Sequence, residues 1–181
     1  MVATARLIKQ EHPDASVVFI GPCASKKLEA SRRTVRSDVD FVITFEELTG
    51  MFEAKGILLD EIKAMDEMKD ATAAGRGYGV AGGVANAIKE CIEQYYPGTP
   101  VNIQHAESLA ECKKALLLAK AGKMNGCLIE GMACPGGCIA GAGTNIAIPV
   151  AARAVDKFKN EAEKKVPDES VDQEMVELEK E

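Results

Sequence analysis

Four short apolar runs set the fold: SVVFI (16–20), DFVITF (40–45), VNIQHA (101–106) and GCLIEGM (126–132). Each has strand length and is bounded by turn or helix signals. The segments between them carry helical patterns instead. Residues 2–11 place Ala5, Leu7 and Ile8 among polar side chains and stop before Pro13. Thr44 and Glu47 form a capping box that predicts a helix to about Lys55. Residues 82–94 repeat Val84, Ala87, Ile88, Cys91 and Ile92 at helical spacing. Ser108 and Glu111 form a second capping box, whose helix closes at Gly122. Residues 146–165 predict a final helix with Pro149 near its start. Strands alternating with helices imply an α/β fold, a parallel β-sheet with helices on both faces. Ligands in such folds bind beyond the carboxyl ends of the strands. Cys23 follows the first run, and Cys134 and Cys138 follow the last, which brings all three to one sheet edge.

Composition narrows the function classes. With 46% hydrophobic residues, 4% aromatics and no Trp, the core must come from Val, Ile, Leu, Ala and Met. A chain of 181 residues folds as one domain without disulfide staples. The formal charge of -6 is concentrated at the end: residues 160–181 carry nine acidic side chains against three lysines, and the rest is balanced. The expected division is therefore a globular part, 1–159, and an acidic tail, 160–181. No basic stripe is available for nucleic acid. No apolar run approaches the roughly 20 residues that span a bilayer, and the charged, helix-like start does not read as a signal peptide. The expected location is cytoplasmic.

The six cysteines then divide by position. Thiols stay reduced in that compartment, which leaves packing, catalysis or metal binding. Cys91 and Cys112 fall in predicted helices and Cys127 opens a strand, so these three read as small apolar side chains. Cys23, Cys134 and Cys138 sit in loops among Gly and Pro, where backbone amides can turn toward an anionic cluster. Soft thiolates held this way suit iron and sulfide. Spacing alone does not separate metal binding from three incidental thiols, and three is one short of the usual cluster set. His12 and His105 belong to no acid-base constellation. The run GRGYGVAGG (75–83) offers a phosphate site at a helix N-terminus as one reading. It lacks a following Lys-Ser/Thr and a clear preceding strand, so a glycine-rich approach packed tightly on a sheet is the better one.

Two stretches, GPCASKKLEA (21–30) and EGMACPGGCIAGAG (130–143), resemble the second and third signature motifs of the iron-only (FeFe) hydrogenases, in that order. The intervening DVDFVITFEELTGMFEAKGI and GVAGGVANAIKE are similar to that family as well, so the resemblance covers roughly residues 1–145. It implies that the chain is the C-terminal part of a catalytic domain holding the H-cluster, a 4Fe-4S cubane joined to a two-iron subsite that interconverts protons, electrons and hydrogen. It implies Cys23, Cys134 and Cys138 as cubane ligands, with Cys138 bridging to the two-iron subsite. Lys26 matches the lysine that hydrogen-bonds a cyanide of that subsite, supplying fixed positive charge beside an anionic group. Glu29 is placed to orient Lys26 or a neighbouring amide, and Gly21, Pro22 and Met132 line the cofactor.

The sequence departs from the family's pattern in three places. Nothing like the first motif, which carries the fourth cubane cysteine, precedes Cys23. Gly21 stands where catalytic members usually have methionine, which is expected to open space beside the subsite and resembles the hydrogen-sensing branch. GAGTN (141–145) replaces a commoner run of glycines and glutamine. These departures imply an isolated segment without turnover. The expected partners are a missing N-terminal lobe, ferredoxin-like electron-transfer domains and maturation proteins, with self-association through uncovered apolar surface. The alternative is a non-catalytic iron-sulfur protein similar to the cytosolic cluster-assembly relatives.

Overall fold

The computed structural model describes residues 1–32, 38–63, 69 and 71–165, so the acidic tail from residue 166 on lies outside the described residues. The chain divides into two compact units. One is drawn from the described residues of 1–63 and 141–145, the other from those of 69–140 and 146–165.

The first unit begins with helix α1 (Val2–Glu11), followed by β1 (Val18–Ile20), α2 (Ser25–Ser31), β2 (Phe41–Ile43) and α3 (Phe45–Ala54). β1 and β2 pair in parallel, with Val18 opposite Phe41 and Ile20 opposite Ile43. Asp40 ties the start of this pair to α1: its carboxylate accepts the Val17 N–H at 2.7 Å and meets the Lys9 ammonium at 2.9 Å. The Val17 hydrogen bond, then the lysine, hold its carboxyl below the usual carboxylate value. At α3 both bonds of the expected capping box are made, Glu47 N–H to Thr44 Oγ1 and Thr44 N–H to Glu47 Oε2.

The second unit contains α4 (Ala73–Arg76), α5 (Gly83–Tyr95), β3 (Asn102–Glu107), α6 (Leu109–Lys120), β4 (Cys127–Met132) and α7 (Ile148–Asn160). β3 and β4 form a parallel pair from Asn102 opposite Cys127 to Glu107 opposite Met132. The α/β class with parallel strands is thus as the alternation implied, but the four strands make two separate two-stranded sheets. Cys23 and the Cys134, Cys138 pair accordingly follow strands of different sheets, which corrects the expectation of one shared edge. SVVFI is also less enclosed than its sequence suggests. Val18 and Ile20 remain about 45% exposed because the pair has no further strand beside it among the described residues. α7 stops at Asn160, short of the expected residue 165, where the chain turns and Lys164 gives its carbonyl to the Ala73 N–H at 2.9 Å.

The buried apolar residues are mostly alanines, among them Ala5, Ala74, Ala85, Ala87 and Ala151, joined by Val39 and Ile139. Small side chains let backbone approach backbone, so polar groups must be matched inside. The clearest case is Glu130, in the middle of β4 and only 9% exposed. Its carboxylate accepts the N–H groups of Gly82 (2.6 Å), Val84 (3.1 Å) and Ala85 (3.1 Å), the open donors at the start of α5. His105 Nδ1 on the neighbouring strand lies 3.2 Å from the same group. Burial alone would raise the Glu130 pKa from its ordinary 4.5. The Ala85, His105 and Gly82 hydrogen bonds outweigh that, and the net direction is down.

Glu130→Ala leaves those helix donors without their acceptor and should destabilise the protein by on the order of 2–3 kcal/mol in urea unfolding. Because the folded pKa is lowered, the carboxylate's contribution is present above its unfolded value and is lost as pH falls through the folded one. The stability gap between wild type and Glu130→Gln should therefore shrink on acidification, as thermal melts from neutral pH downward would record. A gap constant over that range would mean that Glu130 does not act as an anion.

Candidate metal centre

β1 ends at Ile20, the Gly21 N–H just beyond it donates to Ile43 O at 3.1 Å, and the chain turns through Pro22 and Cys23 into α2. Cys23 is half-buried. One helical turn separates Lys26 from Glu29, so both project from the same face, and the Lys26 ammonium forms an ion pair with the Glu29 carboxylate. Lys27 points differently and pairs with Glu47 on α3. That ammonium, and then the Thr44 N–H, hold the Glu47 carboxyl down to about 2. Gly21 is not beside open space on its side-chain side. A Cβ there would lie 2.9 Å from the Phe19 ring, which already fills that volume. The expected opening at Gly21 is thus taken by an aromatic side chain of the preceding strand.

The segment 141–145 belongs to this same unit. Gly143 donates its N–H to Pro22 O at 2.9 Å and accepts from Glu46 N–H at 3.2 Å. A Cβ at Gly143 would fall 2.5 Å from Thr44 Cβ, so only glycine permits this approach. Asn145 Nδ2 donates to Thr49 Oγ1 at 2.8 Å and to Phe45 O at 3.2 Å. The unusual GAGTN ending therefore fastens the Pro22 loop to the start of α3.

In the second unit β4 ends at Met132, half-buried, and opens into Cys134-Pro-Gly-Gly-Cys138. Cys134 is half-buried and Cys138 exposed. Gly136 and Gly137 adopt φ of +94° and +92°, values that other residues rarely tolerate. A Cβ on Gly137 would meet Ala81 N at 2.4 Å, whereas one on Gly136 would stop 3.4 Å from Ile148 Cγ2. Ala81 N–H donates to Gly136 O at 3.1 Å, so the cysteine loop rests on the glycine-rich turn before α5. The loop amides do not all face outward: Gly137 N–H bonds Cys134 O at 2.9 Å, and Gly136 N–H bonds Glu107 Oε2 at 2.8 Å.

That turn also answers the phosphate reading of GRGYGVAGG. Glu130 already occupies the α5 N-terminus, and a Cβ on Gly83 would lie 2.0 Å from Gly77 O. These glycines serve close packing. Cys91, Cys112 and Cys127 are half-buried; Cys112 Sγ lies 3.6 Å from Ala106 O, and Cys127 Sγ accepts from Asn102 Nδ2 at 3.3 Å. Sequence reasoning missed Glu107, Glu130 and His105. The signal for Glu130 was a lone carboxylate inside an apolar strand run, which needs buried donors; the other two have no local signal.

Among the described residues no three of His, Cys, Asp and Glu are gathered around one ion position. No helix among them is long and apolar enough to cross a membrane. The family described as the iron only hydrogenase large subunit, C-terminal domain, matches residues 1–142. A solved FeFe-hydrogenase structure concerned with stepwise H-cluster assembly is similar, with a TM-score of 0.61 and 21% identity over 91% of this chain. A variant FeFe-hydrogenase from Chlamydomonas reinhardtii gives 0.63 at 21% identity over the same share, and an apo variant from that alga gives 0.56 at 20%. At such identities the likeness is one of fold. The chain spans 59% of the length of each of these proteins. No curated protein matches the sequence.

Gly137→Ala should be far more damaging than Gly136→Ala. Both add strain at positive φ, on the order of 1–3 kcal/mol, but only the first drives a Cβ into backbone. Urea denaturation of the two variants beside wild type measures the difference, and equal losses would contradict the close approach of Gly137 to Ala81.

Proposed function

The chain belongs to the iron-only hydrogenase large-subunit family, C-terminal domain, and from that membership we propose that it holds part of an H-cluster through Cys23, Cys134 and Cys138. The observation that carries this reading is the loop of Cys134 and Cys138, shaped by two positive-φ glycines and seated on the backbone of the turn before α5. Each cysteine of a four-iron cubane binds its own iron. Such ligands need not crowd around one point as the ligands of a single zinc must. Half-buried or exposed thiols on glycine loops are chemically matched to that group.

When bound, the two-iron subsite supplies the interconversion of hydrogen with protons and electrons. The chain's own residues hold and bias it. Lys26 offers a positive donor whose direction is set by Glu29, as an anionic ligand shell requires. Phe19 takes the volume beside Gly21, so that position contributes no thioether and the wall there is aromatic. This difference favours the hydrogen-sensing branch over high turnover. Met132 and Pro22 flank the ligands in sequence. A paired, positioned lysine has little purpose in a cubane-only protein, which sets the cluster-assembly reading second.

Electron-transfer domains, maturation proteins and the fourth cubane ligand are assigned to polypeptide outside this segment, and the segment alone is assigned no turnover. Large apolar side chains stand exposed in both units, including Phe41 at 62% and Leu109 at 74%. In isolation the chain should therefore self-associate. Light scattering across a concentration series should show mass rising above 19.3 kDa, and a constant monomer would contradict it.

The central test is anaerobic reconstitution with iron and sulfide, iron counting and EPR, on wild type and on the Cys134→Ser, Cys138→Ser variant. Iron uptake with a reduced cubane signal in wild type, lost in the variant, is the expected result. Equal iron content in both would remove these cysteines from the ligand set. Infrared bands of cyanide and carbon monoxide after co-expression with maturation proteins would separate the hydrogenase reading from a cubane-only protein.

A further inference from the structure

The loop between the two cysteines has few N–H groups to offer. Pro135 has none. Gly137 gives its own to Cys134 O at 2.9 Å, and Gly136 gives its own to Glu107 Oε2 at 2.8 Å. Gly136 lies two residues from each cysteine, so this carboxylate is held at the centre of the loop. Its position comes from the sheet. Glu107 is the last residue of β3, directly opposite Met132, and its N–H is fixed by Glu111 Oε2 at 2.8 Å. In the next peptide the Gly136 carbonyl accepts the Ala81 N–H at 3.1 Å.

A carboxylate at the centre of this loop opposes any further negative charge there. It also takes up an amide that would otherwise be free to hydrogen-bond sulfur, and hydrogen bonds to cluster sulfurs are one of the terms that set reduction potential. Both effects have the same sign, because adding an electron to a cluster increases its negative charge. We propose that Glu107 is a positioning residue for the cysteine loop that fixes the Gly136 peptide and lowers the reduction potential of the cluster. The tuning rests on the cluster-binding reading; the positioning does not.

Glu107→Gln keeps an acceptor without the charge, and Glu107→Ala removes both. On the cluster-free chain, NMR hydrogen exchange should show the Gly136 amide exchanging at least about tenfold faster in Glu107→Ala than in wild type, as expected where a protecting bond is lost. Equal rates would overturn the positioning. On the reconstituted chain, EPR-monitored titration with dithionite should place the midpoint potential of both variants above that of wild type. An unchanged potential in both would overturn the tuning even where the loop has loosened. A shift in Ala alone would overturn the charge effect and leave the hydrogen bond as its source. A wild-type chain that takes up no iron would overturn the functional reading and the tuning with it, while amide exchange would still decide the positioning.

Discussion

The start of α5 is buried against its own sheet, and three of its N–H groups have one carboxylate to satisfy them. Glu130 accepts from Val84 and Ala85 at Oε1 and from Gly82 at Oε2, the oxygen that His105 Nδ1 also meets. Helix starts are usually capped by a residue next to them in sequence. This one is capped from more than forty residues away, so the cap is also a tertiary tie between α5 and β4. A buried anion is tolerated only when hydrogen bonds replace its lost hydration, and the Ala85, His105 and Gly82 groups, set against burial, hold the Glu130 carboxyl below its ordinary value.

The cysteine loop depends on that tie. Glu130 fixes Gly82, the turn before Gly82 presents the Ala81 N–H, and Ala81 holds the carbonyl of Gly136. Gly137 can lie against the same turn only because it carries no side chain itself. The loop's glycines are therefore set by a neighbouring backbone. Two carboxylates on adjacent strands, Glu107 and Glu130, thus divide the work: one pins the loop directly, the other the surface on which it rests.

What was legible in the sequence was what local chemistry determines. The strand runs, the Thr44 box and the span of α5 all depend on residues a few positions apart. The Ser108 box is half of what its spacing predicts: Ser108 accepts the Glu111 N–H, but the Glu111 carboxylate turns to the Glu107 N–H. Pairing partners were not legible, since four strands can make one sheet or two with the same periodicity. The exposure of Val18 and Ile20 follows from that pairing and from no local pattern. Of the candidate site, the cysteine loops and the Lys26, Glu29 pair were visible as motifs. Glu107 was not, because its partner is an amide twenty-nine residues ahead that no side-chain pattern announces.

Lys26 and Lys27 show how far position, rather than residue type, decides a role. On a helix neighbouring residues point about 100° apart, so the two ammonium groups reach different carboxylates. Lys27 meets Glu47, the residue that also caps α3, and so links α2 to the helix on which Gly143 and Asn145 are fastened. Among the described residues the Lys26 ammonium pairs within its own helix, and it stays about one-third exposed. That pair therefore ties no second element of the unit. One lysine thus ties two helices together while its neighbour keeps its pair within α2. It follows from two adjacent lysines and the pitch of a single helical turn.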